Sequence, residues 1–539
     1  MTVKESNLNS IKSAKKSPDY IPTGEKIAYG LGGFMDGGGV ALMACVMLNY
    51  MTNALGIAVG MASTIMMISK VWDAITDPLM GVISDSTKSK WGRRKPYMVF
   101  GGLGLIATMF LLFMPINNFG FSTLQKTIYI LVFYIIWNTF STITQVPYTS
   151  MSSDISPDFK ERNNANTVKL VFTALASGLA YVGPLLLLEA YTAPESSMLP
   201  PITGTQFGLI MGCTYGVMFG LGLIICGFAV KERIKIAEGQ NKVRFNLKTY
   251  IEPFRNKSYK WHISMYVTAF MCMDIISALA VFYTMDVWRG AELFGMPFSS
   301  MFIVAPLMVA AVIAFPVARI KMDKKDKQSA FRMGLPLYIT SGVLLAVFDP
   351  SWTPPILVVI AALLMGFGFG GAQMMPWIIF PDTLDIAELK TGDRPTGNYS
   401  GIMTLIRKLA GAMGVWVVGL VMGLAGYIES TSEVSIIQSD KVLLAIRLLL
   451  GGSIALLMSL AMLASYKYKV NNHKLSRARY FIERKKAGTL ATMTEAEKQE
   501  RLALVTELAG LSRKERDAYI AEMHAEGNAS DLSWEGLDW

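Results

Sequence analysis

Asp73 and Asp77 are the side chains in this sequence best spaced to do chemistry together. They stand four residues apart in the run from Lys70 to Asp85, KVWDAITDPLMGVISD, inside an apolar segment that starts near Ala58. On a helix that spacing puts both carboxylates on one face, one turn apart. Thr76, three residues after Asp73, shares the face with a hydroxyl. A carboxylate deep in a bilayer is costly, and two close together repel. A bound cation offsets both costs, as does a proton held by one of the two. The pair therefore reads as an ion or proton site, holding Na+ if the ion is a metal. The structural alternative is that both acids lie near the helix end and pair with Lys70 or with the basic loop after Asp85.

Other polar residues interrupt apolar runs. Asp36 lies about a third of the way into the first such run, beside Gly37, Gly38 and Gly39. Glycines let a helix or a ligand approach the backbone closely. A carboxylate there can accept hydrogen bonds from two hydroxyl groups of a ligand, or it can form a salt bridge with Lys169 or Lys408. Arg407 and Lys408 are adjacent in the middle of the eleventh run. Lipid exposure would cost several kcal/mol, so one of them faces an interior cavity. It would bind an anionic substrate or neutralise Asp73 and Asp77. Asp274 in the seventh run is a second proton site, a ligand to the substrate or a helix–helix contact. Gln145 and Gln373 both donate and accept, which suits neutral hydroxyls. Tyr148, Trp72 and Trp377 can stack on a ligand ring or simply pack.

The elements that must position these groups are membrane spans. The chain has 539 residues, of which 52% are hydrophobic and 17% charged. That balance belongs to an integral membrane protein. Cys45, Cys213, Cys226 and Cys272 all lie in apolar runs, which excludes a disulfide framework and any Cys/His metal spacing. Three histidines argue against zinc or haem, so no cofactor is expected beyond a coupling ion. Residues 1–26 are polar and lack the apolar core of a signal peptide. A spanning helix needs about 20 apolar residues. Twelve segments qualify: 28–53, 58–84, 96–116, 125–151, 165–189, 206–230, 260–287, 297–319, 331–348, 354–380, 398–425 and 441–467.

Loop charge sets the orientation. The stretch 86–95 is strongly basic, as are 231–259 (Lys231, Arg233, Lys235, Lys242, Arg244) and 319–327 (Arg319, Lys321, Lys324, Lys325, Lys327). The loops 54–57, 117–124, 190–205 and 349–353 contain no Lys or Arg. The basic set is cytoplasmic, which puts both termini in the cytoplasm and the protein in the plasma (inner) membrane. The excess positive charge is accounted for in this way, and no nucleic-acid partner is needed. The expected organisation is a tail at 1–25, a six-helix half at 26–230, a middle loop at 231–259, a second half at 260–467 and a helical tail at 468–539. Such a duplication places the substrate site between the halves near the bilayer midplane. Capping boxes at Thr494–Glu497 and Ser512–Glu515, with stops at Gly510 and Gly527, predict two short helices in the tail. A monomer is expected.

Over residues 26–467 the chain resembles the glycoside–pentoside–hexuronide:cation symporter family of the major facilitator superfamily, whose best-known member is the melibiose carrier. The resemblance rests on KIAYGLGGFMD at 26–36, WDAITDP at 72–78 and SKWGRRKP at 89–96. It is extended by QVPY at 145–148, the KER turn at 160–162, DTLD at 382–385 with KTG at 390–392, and Lys408. It implies an all-α membrane fold of two six-helix halves. It also implies a non-enzymatic activity, symport of a glycoside driven by a cation gradient. The cation site carries over to Asp73, Asp77, Thr76 and Thr142. The family commonly has Asn where this chain has Thr76, which leaves both Na+ and H+ as coupling ions. The sugar positions carry over to Asp36, Gln145 in place of an acid, Thr149 in place of a Trp, Lys169 in place of an Arg, and Gln373 in place of a Trp. The galactoside pattern is not preserved, which favours another glycoside. With Lys169 and Lys408, the alternative is an anionic hexuronide or acidic oligosaccharide. The superfamily's loop motif, matched by Asp85 with Arg93 and Arg94, implies a latch, and Asp382 and Asp385 with Arg394 imply a similar one in the second half. From another class, the chain could be a non-transporting sensor with residues 468–539 as its output.

Overall fold

The computed structural model describes residues 19–521 apart from 195–196, 234–251, 393, 395, 430–435, 512, 514 and 518–519. Lys235, Lys242, Arg244, the capping box at Ser512 and the stop at Gly527 lie outside the described residues. The first six long helices are α1 (Thr23–Ala54), α2 (Val59–Ser86), α3 (Lys95–Leu112), α4 (Thr123–Asp154), α5 (Phe159–Thr192) and α6 (Gly204–Ala229). The second six are α7 (Lys257–Val287), α8 (Met301–Lys324), α9 (Lys327–Val347), α10 (Pro355–Thr391), α11 (Thr396–Ala425) and α12 (Asp440–Lys467). Among the described residues, eleven helices are long and apolar enough to cross a bilayer. The twelfth long helix is α2. Its length of 28 residues suffices, but Lys70, Asp73 and Asp77 lower its apolarity. The helix least suited to lipid is thus the one that carries the acidic pair.

Local chemistry sets the ends. Ser122 and Gln125 form a capping box at the start of α4, and Thr203 and Gln206 form another at the start of α6. The Asp158 side chain caps α5, and Asn256 caps α7. Within α1 the backbone widens to a π-helical turn over Phe34–Gly39, the stretch that holds Asp36. A two-stranded antiparallel hairpin, Glu292–Leu293 with Met296–Pro297, separates α7 from α8.

Both ends of the described chain lie on one face, called here the terminal face. The halves meet along α2–α11, α1–α7 and α5–α8. The polar contacts between them run from mid-molecule toward the opposite face. They include Tyr181 with Ser277 (3.3 Å), Trp416 with Thr64 (3.3 Å) and Tyr427 with Asn53 (3.1 Å). On the terminal face the ion pairs Lys26–Glu161, Arg233–Glu25, Arg93–Asp154 and Lys327–Asp382 each stay within one half.

The tail corrects one expectation. A helix that the capping signals did not predict, α13 (Asn472–Lys486), precedes α14 (Glu495–Leu504), which does start at the Thr494–Glu497 box and stops at Gly510. The tail docks on the second half. Ser258 Oγ donates to the Leu508 carbonyl (2.5 Å), Lys390 donates to that of Gly510 (3.0 Å), and Lys486 pairs with Glu388 (2.6 Å).

Helices α9 and α12 cross at Gly342 and Gly451. A Cβ on Gly451 would stand 2.3 Å from both Ala346 N and the Gly342 carbonyl oxygen, against backbone that cannot yield. Gly451→Ala is expected to destabilise the second half by about 1–3 kcal/mol, the range for overpacking. The check is the thermal midpoint of the purified protein. An unchanged midpoint would show that the crossing can open.

Candidate functional site

The acidic pair sits where α2, α4 and α11 converge. Asp77 bridges the two halves. Its Oδ1 accepts from Thr142 Oγ1 of α4 (2.9 Å), and its Oδ2 forms an ion pair with Lys408 of α11. Asp73, one turn earlier, is 5% exposed. Its Oδ2 is 3.4 Å from Lys70 Nζ, while Oδ1 is buried without a hydrogen-bond partner among the described residues. On α7, Asp274 meets Arg407 at 3.4 Å, and that guanidinium lies over the Phe270 ring at 5.0 Å. A Cβ on Gly411 would lie 2.1 Å from Asp274 Oδ2, so α11 passes close to the acid at this glycine.

These groups surround a cavity of about 100 Å³, lined among others by Lys70, Asp73, Thr142, Gln145, Asp274 and Lys408. Gln145 Nε2, Asn138 Oδ1 and the Tyr134 hydroxyl, on residues that also line the cavity, are likewise buried without a hydrogen-bond partner among the described residues. Asp73, Asp77 and Asp274 face Lys70, Arg407 and Lys408, three acids against three bases. Every base is already engaged by an acid, so an added cation must take a carboxylate away from a resident cation.

The remaining candidates lie outside this cavity. Asp36 pairs with Lys169 at 3.1 Å, and Lys169 sits 4.6 Å above the Tyr148 ring. Tyr148 is fully buried and donates to the Tyr29 carbonyl (2.7 Å), so its ring is packed rather than presented. Thr149 and Thr76 turn their hydroxyls onto their own helices, to the Gln145 carbonyl (2.8 Å) and the Trp72 carbonyl (3.0 Å). Gln373 ties α10 to the Ala269 carbonyl of α7 (3.1 Å). Trp377 is 52% exposed, edge-on to Tyr266. Trp72 donates to Thr139 Oγ1 (2.9 Å).

Sequence reasoning missed Trp137, Asn138 and Ser141, which line the cavity with Thr142 and Gln145. Positions 137, 138, 141, 142 and 145 fall on one face of α4 at helical spacing, a signal available before the fold.

On the terminal face, Arg94 is 3.2 Å from Asp85 and 3.0 Å from Asp154, and Arg93 is 2.6 Å from Asp154. Burial lowers the pKa of Arg94, with the nearby Asp154 opposing the shift. Asp154 was not foreseen in this cluster. In the second half, Asp382 pairs with Lys327 (2.6 Å), and Asp385 pairs with Arg394 (2.8 Å) and Arg479 of the tail (2.7 Å).

Two six-helix halves meeting around a charged cavity at mid-molecule define a secondary transporter, not an enzyme. The chain belongs to the family described as MFS/sugar transport protein, whose model matches residues 28–472. It is 26% identical to the putative glycoside/cation symporter YagG of Escherichia coli over 79% of this chain and 87% of that one. It is 24% identical to the glucuronide carrier protein homolog of the same organism, over 78% and 87%. The solved D-xylose-proton symporter superposes with a TM-score of 0.57 at 12% identity, over 83% of this chain and 97% of that one. The protein is therefore a multi-pass, cation-coupled symporter of the major facilitator superfamily.

Proposed function

We propose that the protein carries a sugar or glycoside into the cell with Na+ or H+, by alternating access. It would do so as a monomer in the inner membrane with both termini cytoplasmic. The observation that carries this reading is Asp77, held by Thr142 of one half and Lys408 of the other. In that position one side chain senses both the coupling ion and the relation of the halves. The incoming ion takes Asp77 and the orphan oxygen of Asp73, and Lys408 is released into the cavity. Gln145, Asn138 and Asp274 then offer donors and acceptors to sugar hydroxyls. With the termini inside, the sealed face is the outer one, and the conformation is inward-facing. Asp85, Arg93 and Arg94, with Asp382 and Asp385, hold the inner ends of their own halves in this state and serve as gating groups.

A second reading, an anionic hexuronide or acidic oligosaccharide, draws on the cluster of Lys70, Arg407 and Lys408 at one cavity. The relative named as a glucuronide carrier is in line with it.

The test is a thermal-shift panel on purified protein, with neutral glycosides and hexuronides in Na+, Li+ or choline buffers across pH. The expected result is that the cation raises the midpoint and the true substrate raises it further only when the cation is present. A substrate whose effect is the same in choline at high pH would sink the coupling.

A further inference from the structure

We propose that Glu189 and Glu429 form a pseudo-symmetric latch that holds the face opposite the termini shut. Glu189 stands three residues before the end of α5 and is fully buried. Its Oε1 crosses to the other half, where it accepts from the Ser300 backbone N–H (2.9 Å) and the Ser300 hydroxyl (2.5 Å). Ser300 is the N-cap residue of α8. Its Oε2 has no partner among the described residues. Glu429 follows the end of α11, and its Oε1 accepts from the backbone N–H of Val59, the first residue of α2 (3.1 Å). Helix α11 occupies in the second half the place of α5 in the first, and α8 the place of α2. Each half therefore sends a carboxylate from the end region of its fifth helix, Glu189 from the last turn of α5 and Glu429 from just past α11, onto the start of the other half's second helix.

The two contacts share one physical basis. A helix N-terminus exposes unsatisfied N–H groups and carries roughly half a positive charge. A carboxylate satisfies both, and a hydrogen bond to a charged group is worth more than a neutral one. The donors and acceptors lie on opposite halves, so opening this face breaks every one of these bonds. The latch is joined by Tyr427, two residues before Glu429, whose hydroxyl lies 3.1 Å from both Asn53 of α1 and Asp286 of α7. The cytoplasmic-side acids Asp85, Asp154, Asp382 and Asp385 have guanidinium or ammonium partners instead, drawn from their own half or, for Asp382 and Asp385, also from Arg479 of the tail. The outer seal is thus built from helix ends and the inner clusters from ion pairs. Glu189 and Glu429 are positioning residues: they bias which side is open without touching substrate.

This inference rests on the alternating-access reading, and its test reads conformation without substrate. Nitroxides at Phe119→Cys and Trp352→Cys report the separation of the halves on this face by pulsed electron resonance, in full-length protein with the exposed Cys213 replaced by Ser. Wild type should show mainly the short distance. Glu189→Ala should raise the ratio of long to short populations about tenfold, the scale of one charge-assisted hydrogen bond. Glu429→Ala should shift it the same way by less. Glu189→Gln, which keeps an acceptor for Ser300, should restore most of the short population. Ser300→Ala should open the face partly and carries the test, with Glu429→Ala, if Glu189→Ala does not fold. Distances like wild type in Glu189→Ala, or in those two variants, would overturn the latch while leaving symport standing. One distance under all ion and substrate conditions in wild type would instead sink alternating access and the latch with it.

Discussion

Asp77→Asn should bring cation-driven accumulation down to simple equilibration while the protein still folds. Asparagine keeps an oxygen for Thr142 Oγ1, the 2.9 Å contact that ties α2 to α4. It loses the charge that pairs with Lys408. Breaking a deeply buried pair costs about 3–5 kcal/mol because the survivor is stranded. Here both side chains retain 23% exposure, so water screens Lys408 and the fold survives. The loss falls on coupling. One positive charge entering down 100 mV gains about 2.3 kcal/mol, which sustains roughly a fiftyfold concentration ratio. Without a carboxylate to bind the ion that drive is disconnected, and the inside-to-outside ratio should fall to about one. Asp73→Asn should act in the same direction, since Asp73 offers the free oxygen of the pair. The measurement is uptake into energised membrane vesicles against an ionophore control. Undiminished accumulation by both mutants would reject the cation site.

What could be read ahead of the fold follows from the range of each signal. The pair at 73 and 77 was legible because helical spacing is local. The spans were legible because a bilayer requires a long apolar run, although α3 stops at Leu112 rather than 116 and α1 starts at Thr23 rather than 28. The structural alternative for Asp73, contact with Lys70, is also present in the fold. Side-chain azimuth was not legible. A membrane helix is apolar on the face toward lipid and on the face toward its neighbours, so no stripe marks which way Tyr148 or Gln373 points. In the fold the Tyr148 hydroxyl reaches from α4 to the Tyr29 carbonyl of α1, and the Gln373 amide from α10 to the Ala269 carbonyl of α7. Long-range partners were only half legible. For Asp36 the sequence left Lys169 and Lys408 open, and the fold assigns Lys169 at 3.1 Å. Lys408 is thereby free to serve Asp77, 331 residues away. The docked tail was illegible because Arg479 and Lys486 lie far along the chain from the acids they meet, and no local spacing links them. Their partners Asp385 and Glu388 lie at the end of α10.

That division of labour between the two lysines sets up the second large effect. Lys408 pairs with Asp77, so under the proposed ion site it competes with the coupling ion for the same carboxylate. At 4 Å and an effective dielectric of 20, one such interaction is worth about 4 kcal/mol, and solvent around a partly exposed pair reduces it. Lys408→Gln removes the competitor, and cation affinity should rise by roughly ten- to a hundredfold. Transport should fall at the same time, because an ion held too tightly is not released inward and the lysine no longer leaves Asp77 as the ion arrives. Binding coupling is reciprocal, so the mutant should also lose the mutual tightening of ion and sugar. Trp137 lines the cavity and gives a fluorescence readout of ion titration. Lys169→Gln is the matched control: it frees Asp36, which lies outside the cavity, and should leave ion affinity at the wild-type value. Equal ion affinity in wild type and Lys408→Gln would mean that the lysine and the ion never share Asp77, and the exchange would have to be abandoned.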